Sequence, residues 1–224
     1  MDPRWLAPSY QLIAELLLHP DDRNGVRISA LLKRLETEPL TELEPVRRFL
    51  SDPAAWSKDE YVQTVELSPP CPLYLGAYLF DEPTTCRGIG TSGRNAYMLE
   101  LSGIYRHFGF ELSGRELPDY LPAVVEFLGI SLKRRARDRI GLRRRLVEGD
   151  VRPALPPLRE GLLKYQSPYA LLVEALESLV AEDIRRMGDA PAWQPPERGP
   201  DRSRRLPVLS GAEPGTRRPV EVQP

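Results

Sequence analysis

"ELPDYLPAVVEFLG", residues 116–129, decides the fold class, because its apolar residues recur at the spacing of one helical face. These apolar residues are Leu117, Leu121, Val124, Val125 and Leu128. The stretch also holds two prolines, Pro118 and Pro122, and a proline is tolerated in the first helical turn but breaks a backbone hydrogen bond further in. The sequence therefore predicts either a bent helix that begins at Pro118 or a helix that begins at Pro122 after a separate turn. In both cases Asp119 and Tyr120 lie at the irregular point.

Most of the remaining chain also has helical patterns, and nothing in it is typical of a β-hairpin. Helices are predicted over residues 9–20, 28–36, 40–50, 57–67, 92–109, 131–149, 156–166 and 167–188. Residues 73–80, "LYLGAYLF", are short and apolar, which fits either a strand or a buried helix. The sequence predicts an all-α fold with a single helical domain over residues 1–188. Residues 189–224 are rich in Pro, Gly and Arg and are expected to form a disordered tail.

Several helix ends are marked by capping residues. Ser9 and Ser167 are placed to cap the first and last helices, and Gly188 closes the last one. Ser57 followed by Glu60 is a capping-box pattern.

The helix over residues 92–109 is predicted to be a central core element that Gly109 ends. One side of it carries Tyr97, Leu101, Ile104, Tyr105 and Phe108.

Composition and charge exclude several classes of protein. The 31 Lys and Arg residues nearly balance the 32 Asp and Glu residues, so the net charge of −1 does not indicate a nucleic-acid binder. No apolar run reaches the roughly 18 residues of a membrane span, and no basic region precedes the first apolar stretch. The sequence predicts a cytoplasmic protein that does not enter a membrane.

The sequence lacks the motifs that usually mark an enzyme. "RGIGTSGRN" has three glycines but no Lys-Ser or Lys-Thr after them, so it is interpreted as a loop that leads into a helix. His19 and His107 lie near helix ends, without cysteines or acids at ligand spacing. Cys71 and Cys86 flank residues 73–80 and are interpreted as buried small hydrophobes. We therefore expect a protein without catalytic or metal-binding function.

The segment "KRRARDRIGLRRRL", residues 133–146, carries the strongest local charge. Its basic residues fall on most faces of a helix, which fits a solvated surface element or a docking patch for an acidic protein or a phosphate backbone. A helical module that binds nucleic acid or an acidic protein through this segment is the alternative function. No aromatic residues for base stacking are interleaved with it, so nucleic acid is the less favoured partner.

Three stretches together resemble the dedicated assembly chaperones of molybdenum-containing reductases: "DEYVQTVELSPPCPLYLGAYLFDEP", "LSGIYRHFGFELSGRELPDYLPAVVEFLG" and "SPYALLVEALESLV". The most specific part is "ELPDYLP" after an aromatic helix that ends in "GFEL". The chain is similar to the nitrate reductase delta-subunit group over about residues 8–186, and particularly to the branch that serves dimethylsulfoxide-reductase-type enzymes.

This resemblance implies an all-helical chaperone that is not a subunit of the mature enzyme. Its implied partner is the apo catalytic subunit of a molybdopterin oxidoreductase, bound through an N-terminal leader that is commonly of the twin-arginine type. Cofactor-biosynthesis proteins are further candidate partners. No stably bound cofactor is implied, only transient contact with the molybdopterin cofactor of the client.

A leader with paired arginines needs an apolar groove rimmed by carboxylates. The bent helix start at Asp119 and Tyr120 is expected to form part of that surface. The full set of candidate peptide-binding residues is Glu116, Pro118, Asp119, Tyr120, Pro122, Glu126, Tyr78, Phe80, Asp81 and Glu82. For Tyr78 and Phe80 the alternative is a purely structural place in the core.

Overall fold

The computed structural model describes residues 4–36, 41–67, 69–80, 93–112, 116–132 and 137–191, with backbone only for residues 137–139. The helices are α1 Leu6–Leu16, α2 Gly25–Leu35, α3 Glu44–Ser51, α4 Lys58–Tyr61, α5 Gly76–Leu79, α6 Gly93–His107, α7 Leu121–Ser131, α8 Arg137–Leu146, α9 Arg152–Lys164 and α10 Tyr169–Met187. Short 3₁₀ turns cover Pro20–Asp22, Thr41–Leu43 and Pro53–Trp56, and π turns cover Val62–Glu66 and Val147–Val151. Within the described ranges the one extended pairing is an isolated antiparallel bridge between Tyr74 and Tyr120, so the all-α prediction is confirmed. Residues 192–224, most of the predicted tail, lie outside the described residues.

Helix α1 lies at the centre of the core. It packs against α7, α2 and α10, and α10 also packs against α3 and α9. The backbones of α1 and α7 approach closely at Gly129, where a β-carbon would lie 3.0 Å from the carbonyl oxygen of Ala7. Only glycine therefore allows this contact without displacing α1.

The start of α7 resolves the alternatives left open by its two prolines. The helix begins at Leu121 with Pro122 in its first turn, and a separate turn precedes it. Because the first N–H groups of a helix have no intrahelical acceptor, Pro122 removes no helical hydrogen bond. The prediction that Leu117 belongs to the buried stripe is wrong, since it lies before the helix and is 46% exposed. The other four residues of that stripe are completely buried.

The predicted helix caps have mixed outcomes. The backbone N–H of Glu60 donates to Ser57 Oγ at 3.2 Å, as predicted, but the Glu60 carboxylate accepts from the Thr64 hydroxyl. Ser9 is not a cap, because it lies inside α1 and donates its hydroxyl to the Trp5 carbonyl.

At the last helix, Ser167 is not the cap either. Helix α10 begins at Tyr169 after Pro168, and the Ser167 hydroxyl has no hydrogen-bond partner in the described part of the chain. Gly188 and Gly109 end their helices with positive φ angles of 58° and 78°, as predicted.

The predicted core side of α6 is confirmed, since all five of its residues are buried. Residues 73–80 are neither a full strand nor a full helix. They contain the bridge residue Tyr74 and then the single turn of α5. No helix among the described residues has the length and apolar character needed to cross a bilayer.

The basic segment is not simply a solvated or docking surface. Arg143 is buried and binds Asp183, the Ser131 hydroxyl and the Leu128 carbonyl, while the Tyr10 hydroxyl donates to Asp183 at 3.0 Å. Burial, and then the Asp183 carboxylate, raise the pKa of Tyr10 well above its usual range. This polar cluster joins α1, α7, α8 and α10 inside the core.

The next two arginines of α8 also bind within the chain. Arg144 pairs with Glu148 at 2.8 Å, and Arg145 pairs with Glu100 at 2.6 Å. Residues 133–136 lie outside the described residues.

Candidate functional site

The turn that precedes α7 is held in place by a buried carboxylate. Asp119 has no exposed surface, and its Oδ2 accepts the backbone N–H of Gly76 at 2.9 Å and lies 3.4 Å from Arg94 Nη2. Burial raises the pKa of Asp119, against the opposing effects of the Gly76 N–H and the Arg94 guanidinium. A β-carbon on residue 76 would lie 2.7 Å from Asp119 Oδ2, so this contact requires glycine. The expectation that Asp119 lies on the surface is therefore wrong.

Three further hydrogen bonds fix the same turn. The N–H of Leu75 donates to the Asp119 carbonyl at 3.0 Å, and the N–H of Leu121 donates to the Leu73 carbonyl at 2.8 Å. The Tyr105 hydroxyl donates to the Pro118 carbonyl at 2.7 Å. The turn is thus attached to the 73–76 segment and to α6, which orients the residues on its outer side.

A cleft of about 260 Å³ lies beside this turn, between α1, the first turn of α2, the segment after α6, and α7. Its apolar lining includes Leu18, Tyr105, Phe110, Ala123, Phe127 and Ile130. Its carboxylates are Glu15, Glu111, Glu116 and Glu126. Among the described residues that line the cleft, the one with a positive charge is Arg27. The cleft combines an apolar surface with an excess of negative charge.

The charged groups of the cleft are partly paired. Arg27 Nη1 lies 3.2 Å from Glu15 Oε2, and Arg27 Nη2 lies 2.7 Å from Glu126 Oε1. Glu15 is buried, and its other oxygen accepts the backbone N–H of Asn24 at 2.6 Å. Arg27 therefore links α2 to both walls of the cleft, α1 and α7.

Two tyrosines outside the lining of the cleft contact residues of that lining, Glu116 and Tyr120. The Tyr74 hydroxyl donates to Glu116 at 3.0 Å, and the Tyr74 and Tyr120 rings are 5.5 Å apart. Burial, then the hydrogen bond to Glu116, raise the pKa of Tyr74 to about 12. The Tyr61 and Tyr120 hydroxyls are 3.5 Å apart, and burial also raises the pKa of Tyr120. The Tyr74 and Tyr120 hydroxyls therefore stay neutral near pH 7.

The structure brings together four of the ten residues selected from the sequence. Glu116, Tyr120, Pro122 and Glu126 line the cleft. Pro118 and Asp119 lie in the turn, where Asp119 acts as a positioning residue rather than a contact surface.

Four of the selected residues lie elsewhere or are not described. Tyr78 and Phe80 are half-buried against the core and do not line the cleft, which agrees with the structural alternative for them. The Phe80 ring packs 5.3 Å from that of Tyr97. Asp81 and Glu82 lie outside the described residues.

Sequence reasoning missed several cleft residues, above all Glu15 and Arg27. Glu15 had a local signal, because it is the one carboxylate inside the apolar run "QLIAELLLH". A lone acid on an apolar helix usually has a partner. No local pattern, however, connects Arg27 with Glu126.

Most of the chain is similar to a known protein family. The family model described as nitrate reductase delta subunit matches residues 33–172. The matched range contains the turn before α7 and α7 itself, whereas α1 and Arg27 precede it. No curated protein matches the chain significantly.

Proposed function

Because the chain belongs to the nitrate reductase delta subunit family, whose members are chaperones of molybdoenzyme maturation, we propose that it binds the N-terminal leader of an apo catalytic subunit. Binding keeps this subunit competent for insertion of the molybdopterin cofactor, before export or complex formation. We place the step in the cytoplasm, where the cofactor would be inserted before the client leaves. This role requires recognition of a peptide segment and no catalytic step by the chaperone.

The observation that carries the proposal is the cleft beside the turn before α7. An extended or helical leader with paired arginines followed by apolar residues presents a cation next to an apolar side chain. The cleft offers the complementary pair, with Phe110 and Phe127 in its apolar lining and Glu111 and Glu116 exposed at its edge. Hydrogen bonds from guanidinium to carboxylate are among the stronger ones that a peptide can form.

The turn explains why the family motif is suited to this role. Asp119 holds the turn against the 73–76 segment, and the turn presents Tyr120 and Glu116 to the cleft. Pro122 restricts the first turn of α7, so the wall of the cleft is rigid before a peptide arrives. Preorganisation of this kind lowers the entropic cost of binding.

The cofactor enters this proposal only through the client. We propose that the chaperone binds no cofactor stably and that contact with molybdopterin occurs while the client is held. Cofactor-biosynthesis proteins would then meet the complex rather than the chaperone alone.

The alternative function through residues 133–146 receives no support from the described residues. Arg143, Arg144 and Arg145 each bind acidic groups of the same chain, and Arg143 is buried. An arginine in such a pair would have to give up its partner to contact a phosphate or an acidic protein.

Isothermal titration calorimetry tests the proposal with the full chain and the N-terminal segments of the molybdopterin oxidoreductase catalytic subunits encoded in the same genome. We expect one segment to bind, and Ala123→Phe to abolish its binding by filling the cleft. The matched control is Ala181→Phe, the same change on an exposed alanine of α10 beside a different groove. If Ala123→Phe binds as tightly as the parent while remaining folded, the peptide does not occupy the cleft.

A further inference from the structure

The cleft already contains a guanidinium group in the position that a client arginine would need. Arg27 bridges Glu15 and Glu126, the two carboxylates that face each other from α1 and α7. The Arg27 side chain is 40% exposed, so it lies at the mouth of the cleft rather than inside the core.

The two carboxylates differ in how firmly they are held. The Glu15 side chain is only 4% exposed and is fixed by the Asn24 N–H, whereas that of Glu126 is 46% exposed. A buried carboxylate needs a partner, because its desolvation is otherwise uncompensated. Glu15 thus demands a cation, and Glu126 is free to turn toward whichever cation is present.

We propose that Arg27 is a resident cation that a client arginine displaces from Glu15 and Glu126. This inference rests on the proposed function and adds the specificity-determining residue of its site. The bound arginine replaces one guanidinium by another, so the number of ion pairs in the cleft is preserved. The released Arg27 is solvated at the mouth of the cleft, at little cost for a side chain already partly exposed.

This exchange gives the cleft selectivity as well as affinity. An apolar segment without an arginine cannot replace Arg27, and it would leave Glu15 unpaired if it pushed Arg27 aside. Arg27 therefore discriminates against exposed apolar segments of other unfolded proteins, which is specificity achieved by penalising the wrong partner. A lysine would replace Arg27 less well, because an ammonium group does not bridge two carboxylates in a planar, forked geometry.

Calorimetry with Arg27→Gln tests the exchange, using the N-terminal segment that binds the parent chain and the same segment with its arginines changed to glutamine. We expect Arg27→Gln to bind the arginine segment about three- to tenfold more tightly, because no resident ion pair must be broken. Its affinity for the glutamine segment should rise by a similar factor, because the penalty for pushing Arg27 aside is removed as well. Arg47→Gln is the control for the change of charge, since Arg47 forms an exposed ion pair with Glu44 away from the cleft.

A second variant covers the case in which Arg27→Gln does not fold because Glu15 loses its partner. Glu126→Gln keeps the pair between Arg27 and Glu15 and removes the same ion pair from the free cleft and from the bound cleft, so binding of the arginine segment should change by less than about twofold. A several-fold loss would show that the client arginine binds Glu126 in addition to Arg27 instead of replacing it, and would overturn the exchange.

The remaining outcomes separate failure of the exchange from failure of the proposed function. Weaker binding of the arginine segment by folded Arg27→Gln would show that Arg27 contacts the client itself, and unchanged binding would show that Arg27 is not displaced; either result overturns the exchange. If the parent chain binds no segment at all, the proposed function fails. If the parent chain binds a segment but the variants do not change its affinity as expected, the proposed function stands without the exchange.

Discussion

Replacing Asp119 tests whether this residue positions the turn or contacts the client. In Asp119→Ala the buried N–H of Gly76 loses its acceptor, which costs about 1–3 kcal/mol of the free energy of unfolding. Loss of the 3.4 Å pair with Arg94 adds only about 0–1 kcal/mol, because the Arg94 side chain is 30% exposed and water can solvate it. Removing a buried carboxylate whose pKa is raised by burial offsets part of this cost. We expect a net destabilisation of about 1–3 kcal/mol.

Asp119→Asn is the informative companion variant. It keeps an oxygen in the position that accepts the Gly76 N–H and removes the charge, while its NH₂ group takes the buried place of Oδ1, so the cost should be about 1 kcal/mol and smaller than that of Asp119→Ala. Gly76→Ala should reproduce the effect of Asp119→Ala, since its β-carbon would displace the carboxylate. Urea denaturation at neutral pH measures the free energy of unfolding of these three variants. Asp59→Ala, on the exposed side of α4, is the control.

Peptide affinity then separates the two roles of Asp119. If Asp119 positions the turn, Asp119→Asn binds the client segment like the parent, while Asp119→Ala and Gly76→Ala bind it more weakly. Loss of binding by Asp119→Asn at unchanged stability would mean that the carboxylate contacts the client, and the positioning argument would be refuted.

Three further predictions concern the core. Leu128→Ala should cost about 2–5 kcal/mol because Leu128 is completely buried in α7, and a loss below about 1 kcal/mol in urea denaturation would contradict that burial. Arg143→Ala should cost about 3–5 kcal/mol by leaving Asp183 buried without its cation, and Arg143→Met combined with Asp183→Leu should recover only part of it, because the Tyr10 hydroxyl then lacks its acceptor. Burial raises the pKa of Asp150 to about 6 from its ordinary 3.8, so the folded chain binds this proton more tightly than the unfolded chain. The contribution of Asp150 to stability is therefore present at low pH and lost as the pH rises through 6. Between about pH 5 and 7.5 the parent should lose about 1.4 kcal/mol relative to Asp150→Asn, and a difference that does not change with pH would refute the shift.

The part of the site that was predictable lies in one short stretch of sequence. Glu116, Tyr120, Pro122 and Glu126 fall within eleven consecutive positions, in and just after the stretch on which the resemblance to a family rests. The same reasoning failed for Asp119, because a carboxylate in a polar turn gives no sign that a distant glycine N–H will bury it. It also failed for Arg143, since a run of arginines gives no local sign that one of them meets Asp183 inside the core.

The sequence by itself determined the helical fold class, the buried faces of α6 and α7, the cap at Ser57 and the glycine ends at Gly109 and Gly188. These features follow from side-chain periodicity and backbone preferences, which act over a few neighbouring residues. Only the tertiary structure decided that Asp119 is enclosed and that Arg27 joins Glu15 to Glu126. Those contacts connect residues up to about a hundred positions apart: the packing of α1 against α7 and α2 brings Arg27 to its two carboxylates, and the attachment of the turn to the 73–76 segment brings Gly76 to Asp119. Side-chain pattern sets which face of a helix is buried, but the partner of a buried charge is set by which helices pack together.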